Sequence, residues 1–364
     1  MKKEICFVSF ASLPLLTSNE DLKYIGGAEL TSILIGEELA KRDFKIKFIT
    51  YDEKIGKNMI DGITIIKSYS PQLKASRLKK GLMIWNSLKE ADADIYFQAS
   101  GSAGIIPLFC IVHRKKYIKW IASNSDLMLD RIAHSFISKL TLLFDIKFAH
   151  KIIVQNKFQQ DITEKKFKKK CILIKNPILI PKDNGFKEKK DKKIVLWVGT
   201  VRSVKQPEIY LEIAKKFPAF KFIMIGGEYL KDKKVFEDIQ KESKTIPNLE
   251  FLGFIPHHMI QKYYEEAAIF LNTSRMEGFP NTFLEAWINR IPVISLNIDP
   301  DELICTEKLG FHSKSFEQMI RDVNTLLLND SLRNEMGLNA KKYVEQNHDV
   351  KKIADQFEKL INSF

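Results

Sequence analysis

The sequence predicts an α/β protein built from two doubly wound, Rossmann-like domains. Short apolar runs alternate with helix-period segments from end to end, the rhythm of parallel sheets covered by helices. That rhythm is interrupted once, near the middle of 364 residues, by a polar, Lys-rich stretch. A chain of this length exceeds one ordinary core, so two domains of similar size are the natural division. The expected organisation is an N-terminal domain over 1–176, a linker over 177–193, a C-terminal domain over 194–345 and a C-terminal helix over 346–364.

Taken in order, Met1-Lys-Lys followed by apolar Ile5 to Leu16 imitates a signal peptide. No small-x-small cleavage pattern follows and Pro14 interrupts the run, so it reads as a buried first strand and the protein as cytoplasmic. Further strands are expected near 45–50, 62–67, 94–98, 117–122, 151–155 and 171–174, with helices near 28–42, 80–91, 102–113, 128–149 and 156–166. Gly101 to Val112 is apolar but falls short of the ~20 residues that span a bilayer. After the linker, strands are expected at 194–199, 220–225, 249–253, 268–272 and 292–297. Helices fall near 206–217, 231–244, 256–267 and 281–290, and two or three more between 315 and 362.

Four scattered cysteines with no CxxC favour a reducing compartment and argue against structural zinc. Charge divides unevenly. Residues 1–180 hold 30 Lys+Arg against 18 Asp+Glu, whereas 181–364 hold 28 against 27. Such an excess is either a solvated Lys-rich surface or a field for an anionic partner, with anionic lipid or a lipid diphosphate ahead of nucleic acid. Arg131 to Phe148 mixes Ile, Phe and Leu with Lys139 and Lys147, and Lys165 to Lys170 adds five lysines in six positions. The ordinary reading is a core-facing helix and a solvated loop; the other is an anionic membrane surface as partner, with the protein peripheral on the inner face of the cell membrane.

The most informative segment is Glu277-Gly-Phe-Pro-Asn-Thr-Phe-Leu-Glu285. Gly278 and Pro280 form a turn, and Asn281 or Thr282 can cap the helix that carries Glu285. A helix N-terminus favours phosphate, while the two carboxylates are acceptors suited to sugar or ribose hydroxyls. Other motifs also fall at strand ends, where doubly wound sheets bind ligands. Gly26-Gly27-Ala28-Glu29 opens a helix. Gly199-Thr-Val-Arg202-Ser-Val-Lys205 offers a guanidinium fork and a point charge for phosphate. Gly226-Gly227 could leave room for a nucleotide, and Phe251-Leu-Gly-Phe-Ile255-Pro256 could present backbone to a base.

This ordered set resembles the retaining glycosyltransferases of family 4, which have the GT-B fold of two domains facing a cleft, with the C-terminal helix crossing back to the first. The resemblance implies a nucleoside diphosphate sugar donor, UDP- or GDP-linked, with no cofactor and no metal required. It implies that Glu285 holds the ribose hydroxyls and that Glu277, with the main chain of Gly278, Phe279, Pro280, Asn281 and Thr282, faces the sugar and distal phosphate. Arg202 and Lys205 would neutralise the diphosphate beside Gly199 and Gly226, Ile255 would meet the base, and Gly26 and Gly27 would close over the diphosphate. The acceptor would be a glycan or lipid-linked hydroxyl, in surface glycan, polysaccharide or glycolipid synthesis. No side chain is an obvious nucleophile, and a same-face route in which the leaving phosphate takes the acceptor's proton fits the family.

Three positions depart from the family pattern. Gln206 and Arg290 stand where glycines are usual, and Ser125 replaces the histidine of a His-Asp pair, leaving Asp126 as a candidate for hydroxyl contacts. Two Asp-x-Asp pairs, Asp92/Asp94 and Asp299/Asp301, match a metal-binding pattern of another glycosyltransferase fold. The first precedes its strand, at the wrong end, and is expected to cap the helix before it or start a turn. At the second, Pro300 points to helix initiation. Two other readings stay open: a nucleotide-sugar epimerase on the same fold, and a basic nucleic-acid binder, for which no zinc-finger, RNP or helix-turn-helix pattern appears.

Overall fold

The computed structural model describes residues 2–17, 26–53, 58–99, 101, 104–128, 136–181 and 194–364. Most of the expected linker, 182–193, lies outside them. By contacts the chain divides into two compact units, 1–179 with 350–364, and 180–349.

The first unit begins with β1 (Glu4–Val8) and α1 (Leu13–Thr17), so the apolar N-terminal run starts as a strand. Then follow α2 (Gly27–Ala40), β2 (Lys45–Thr50), β3 (Met59–Ile60), β4 (Ile63–Lys67), α3 (Arg77–Ala91), β5 (Ile95–Ala99) and α4 (Ile105–Val112). The series ends with β6 (Lys116–Trp120), α5 (Phe136–Phe148), β7 (Lys151–Val154), α6 (Lys157–Lys165) and β8 (Ile172–Leu173). The strands form one sheet in the order β3-β4-β2-β1-β5-β6-β7-β8, parallel except for the antiparallel edge pair β3–β4. Alternate residues of β1 serve opposite faces, as strand geometry requires. Ile5 and Phe7 join the core under α2, while Cys6 and Val8 join the one under α3 and α4. Phe7 stacks between Phe48 and Phe97 at 5.1 Å each.

The second unit runs β9 (Ile194–Val198), α7 (Pro207–Lys216), β10 (Lys221–Ile225), α8 (Lys233–Ser243), β11 (Leu249–Phe251), α9 (His257–Glu266), β12 (Ala267–Asn272) and α10 (Asn281–Ile288). It continues through β13 (Val293–Ser295), α11 (Leu303–Thr306), β14 (Gly310–His312), α12 (Phe316–Leu328) and α13 (Asp330–Asn347). All six strands are parallel, in the order β11-β10-β9-β12-β13-β14. Both sheets are doubly wound, the fold class expected.

The last helix, α14 (Val350–Asn362), packs on α2. Val350, Ile353, Ala354, Phe357, Leu360 and Ile361 recur at helical spacing and are all buried in the first unit's core, where Phe357 meets Trp120 at 5.0 Å. Arg42 beyond α2 clamps the opposite face through Asp355 (2.8 Å) and Glu358 (2.6 Å).

Two expectations need correction. No side chain caps α10: the N-cap residue is Pro280, and neither Asn281 nor Thr282 stands at that position, because proline fixes the turn itself. The short edge strands β3 and β14 carry too few residues to show an alternating pattern, and the sequence reading passed over both.

Candidate functional site

In the second sheet the strand order reverses at β9, which lies between β10 and β12. Ligands of open α/β sheets bind at such a switch point, outside the carboxyl ends of the strands. The chain leaves β9 as Gly199 to Lys205 and leaves β12 as Thr273 to Glu277, so the two loops emerge side by side. Lys205 Nζ forms an ion pair with Glu277 Oε1. These side chains are only 15% and 13% exposed, so water screens the pair weakly. Ser274 Oγ donates to the same carboxylate oxygen at 2.8 Å.

Neighbouring polar groups fix both loops. Thr273 Oγ1 donates to the Lys205 carbonyl (2.7 Å) and accepts from Trp197 Nε1 (3.1 Å), while the Arg275 amide bonds Val204 O at 2.9 Å. From the end of β13, Asn297 Nδ2 reaches Ser274 O at 3.2 Å. Thr273 was missed by sequence reasoning; the available signal was a polar residue at the end of a buried strand.

Arg202 precedes a short 3₁₀ turn whose Ser203 amide and hydroxyl both bond Asp232 Oδ2, at 3.0 and 3.1 Å. Its guanidinium carbon lies 5.5 Å from the Tyr229 ring centroid, and its buried Nε has no hydrogen-bond partner among the described residues. Gly226 has a packing reason for its identity: a Cβ there would lie 2.1 Å from the Gly199 carbonyl oxygen, so the space fits neighbouring backbone. Gln206 and Arg290, where family glycines were expected, both have left-handed backbone, with φ 47° and 57°.

Phe279 is 6% exposed, with its ring against His348 (5.1 Å) and Trp287 (6.3 Å), so its side chain is taken up by packing. Glu285, at the start of α10's last turn, accepts from His257 Nε2 at 2.8 Å and from Tyr264 OH at 2.7 Å. Each carboxylate oxygen can accept a second bond, so capacity for a hydroxyl remains. His257 opens α9 two residues after Ile255, in a loop where Gly253 has φ +66°. Burial opposes a charge on His257, but the hydrogen bond and charge of Glu285 outweigh it and raise its pKa. His257 and Tyr264 were not found from sequence, since nothing local marks residues 28 and 21 positions away as partners of Glu285.

The remaining predicted residues belong to the first unit. Gly26 is the N-cap of α2, with φ −99° and ψ 150°, and Gly27 is the first residue of that helix. Asp126 closes a capping box: its Oδ2 accepts from the Ser123 amide (3.0 Å) and the Ala122 amide (3.3 Å), while Ser123 Oγ accepts from Ser125 N at 3.2 Å. Burial raises its pKa, against the pull of Lys119 and those amides. Lys119, inside apolar β6, was passed over. Fully buried, it donates to the Gly101 carbonyl and lies 3.8 Å from Asp145, whose other oxygen accepts from Gly104 N at 3.0 Å. Burial lowers the Lys119 pKa, with Asp145 and Asp126 pulling it back up. Through these bonds the pair holds the main chain at Gly101 and at Gly104, after β5.

Of the two Asp-x-Asp pairs, Asp92 is the left-handed C-cap of α3 and Asp94 Oδ2 accepts from the Glu4 amide at 2.9 Å. Both therefore have structural uses at the wrong end of the sheet. Asp299 precedes a 3₁₀ turn opened by Pro300, as expected. Among the described residues, Asp299, Cys305 and His312 form a group whose ligand atoms lie within 4.8 Å of one another.

The family model for glycosyl transferases group 1 matches residues 181–343, nearly the whole second unit. An uncharacterized glycosyltransferase of Haemophilus influenzae is 23% identical over 360 residues, covering 92% of this chain and 96% of that protein. The poly(ribitol-phosphate) alpha-N-acetylglucosaminyltransferase of Staphylococcus aureus is 28% identical over 192 residues, which is 50% of this chain and 37% of that protein. Among solved structures, sucrose-phosphate synthase from Thermosynechococcus elongatus superposes with a TM-score of 0.80 at 16% identity, covering 99% of this chain and 98% of that one. Anabaena HepE, solved with UDP-glucose, gives 0.76 at 15% identity, covering 99% and 100%.

Proposed function

Because the chain belongs to the glycosyl transferases group 1 family, GT-B-fold enzymes that transfer sugar from a nucleotide sugar, we propose that it moves a hexose-type sugar to an acceptor hydroxyl with retention at the anomeric carbon. The observation that carries this reading is the Lys205–Glu277–Ser274 cluster at the switch point of the second sheet. In this role Lys205 and Arg202 meet the donor diphosphate, and the buried Arg202 Nε would gain an anionic partner there. As the glycosidic bond breaks, charge builds on the leaving diphosphate. Fixed cations and main-chain N–H groups of the Gly278–Thr282 turn, Pro280 having none, would stabilise that charge without reorganising, the largest usual term in such catalysis. Glu277 and Glu285 position the sugar and ribose, and the leaving phosphate takes the acceptor's proton. Gly26 and Gly27 are assigned to the diphosphate by the family pattern, and the Asp126 carboxylate to a secondary contact.

A UDP-linked sugar is the first donor to test, because HepE has been solved with UDP and with UDP-glucose. The proposed acceptor is a glycan or lipid-linked hydroxyl on the basic first unit, reached from the inner face of the cell membrane. Among the described residues no helix is long and apolar enough to cross a membrane. A thermal-shift screen of nucleotide sugars tests the donor, since a ligand that binds only the folded state raises its stability. Glu285→Ala should raise the donor KM with little change in kcat, and Arg202→Ala should lower kcat more than it raises KM. Wild-type kinetics in both variants would overturn the site assignment.

A further inference from the structure

Among the described residues, the first unit carries an apolar surface that its own fold leaves open. Helices α4 and α5 are neighbours, joined by the bond from the Gly104 amide to Asp145. Their inner sides are buried through Ile106, Phe109 and Cys110 on α4 and Leu142 and Ile146 on α5. Their outer sides are also apolar. On α4, Leu108 (42% exposed), Ile111 (46%) and Val112 (59%) form one stripe at i, i+3, i+4; on α5, Ile137 (55%), Leu140 (49%) and Leu143 (41%) form another. Single exposed hydrophobics are ordinary on a soluble protein, whereas two adjoining stripes mark a contact surface.

Charge identifies what that surface meets. Residues 105–116 and 136–151 contain Arg114, Lys115, Lys116, Lys139, Lys147 and Lys151, and their one carboxylate, Asp145, is fully buried beside Lys119. Lys115 is engaged by Asp92 at 2.9 Å. Lys169 Nζ donates to the Lys147 carbonyl at 2.7 Å, which brings the Lys165–Lys170 run to the end of α5. Lys165, Lys166, Lys168 and Lys170 of that run are exposed. An apolar face rimmed by cations is the pattern that lies in a membrane interface, with its side chains among the acyl chains and its cations at phosphate level. A second copy of this chain would instead set two basic rims against each other, which repel.

We propose that the outer face of α4 and α5 docks the enzyme on an anionic bilayer. The proposal rests on the reading of a lipid-linked acceptor at the inner membrane face and names the surface that reaches it. The test is flotation of the full chain with vesicles of phosphatidylcholine alone and with phosphatidylglycerol added, for wild type, Ile111→Glu/Leu140→Glu and Lys139→Glu/Lys147→Glu. Wild type should float with the anionic vesicles only, and each double variant should lose at least about tenfold in binding. All three should keep the same melting temperature and the same stabilisation by the nucleotide sugar, because the substituted positions face outward. Equal binding to neutral vesicles, or undiminished binding by the Ile111/Leu140 variant, would overturn the proposal. So would a concentration-dependent dimer in sedimentation that the same variant abolishes, which would assign the face to a second copy. Failure of every nucleotide sugar to stabilise the protein would strike the donor reading and leave the vesicle result standing.

Discussion

The two sheets place their distinctive cations differently. In the second unit Arg202 and Lys205 stand in the loop beyond β9, and Lys205 faces a carboxylate at a partly open strand end. In the first unit Lys119 lies inside β6, fully buried, and spends its charge on Asp145 and the Gly101 carbonyl. A cation at a strand end can exchange its partner for a ligand; one inside the sheet can only hold its own fold. On the proposed reading the donor chemistry therefore concentrates in the second unit, while the polar residues at the ends of β5 and β6 mostly fix the loops that follow.

If that contrast is right, Asp145→Ala should be the most damaging change. It leaves Lys119 buried without its counter-ion, at a cost of about 3–5 kcal/mol in denaturant unfolding, partly relieved if the lysine, whose pKa burial already lowers, gives up its proton. A loss below about 1 kcal/mol would make the pair an incidental contact. Lys205→Met tests the other side. Turnover should fall about 10²–10³-fold as stabilisation of the leaving group is removed, and an effect on donor KM alone would reduce Lys205 to uniform binding. Arg290→Gly should stabilise the fold by roughly 1 kcal/mol, because glycine occupies a left-handed φ without strain; an unchanged melting temperature would show that the arginine side chain compensates.

The smallest expected effect is one of pH. His257 has a raised pKa in the folded state, so its contribution is complete below its unfolded value near 6.5 and is lost as pH rises through the higher folded value. The melting-temperature gap between wild type and His257→Gln should accordingly be wider at about pH 5.5 than at about pH 8.5. A gap independent of pH would mean that the contact to Glu285 is made by neutral imidazole.

Much of the fold was legible because buried parallel strands are short apolar runs, and β1, β2, β9, β10 and β12 have that form. The Glu277–Glu285 segment was legible for a related reason: its turn residues, its helix and its two carboxylates are contiguous in sequence. The left-handed backbone at Arg290, where a glycine is usual, is also a local property. What was not legible depends on distance. The β14 strand has three residues and forms only by pairing with β13, and the two outward apolar stripes of α4 and α5 look like core until the sheet has taken their other sides.

The sequence by itself therefore determined the two α/β series, the order of the strand-end motifs and the excess of positive charge in the first half, because each is carried by neighbouring residues. Tertiary structure alone decided which groups share a carboxylate. Glu277 takes Lys205 from 72 positions away, and Glu285 takes His257 and Tyr264. It also assigned Asp126 to a capping box and gave Gly226 to the Gly199 carbonyl. The physical reason is that hydrogen bonds and close packing act over a few ångströms in space, and only the wound sheet brings such distant residues within that range.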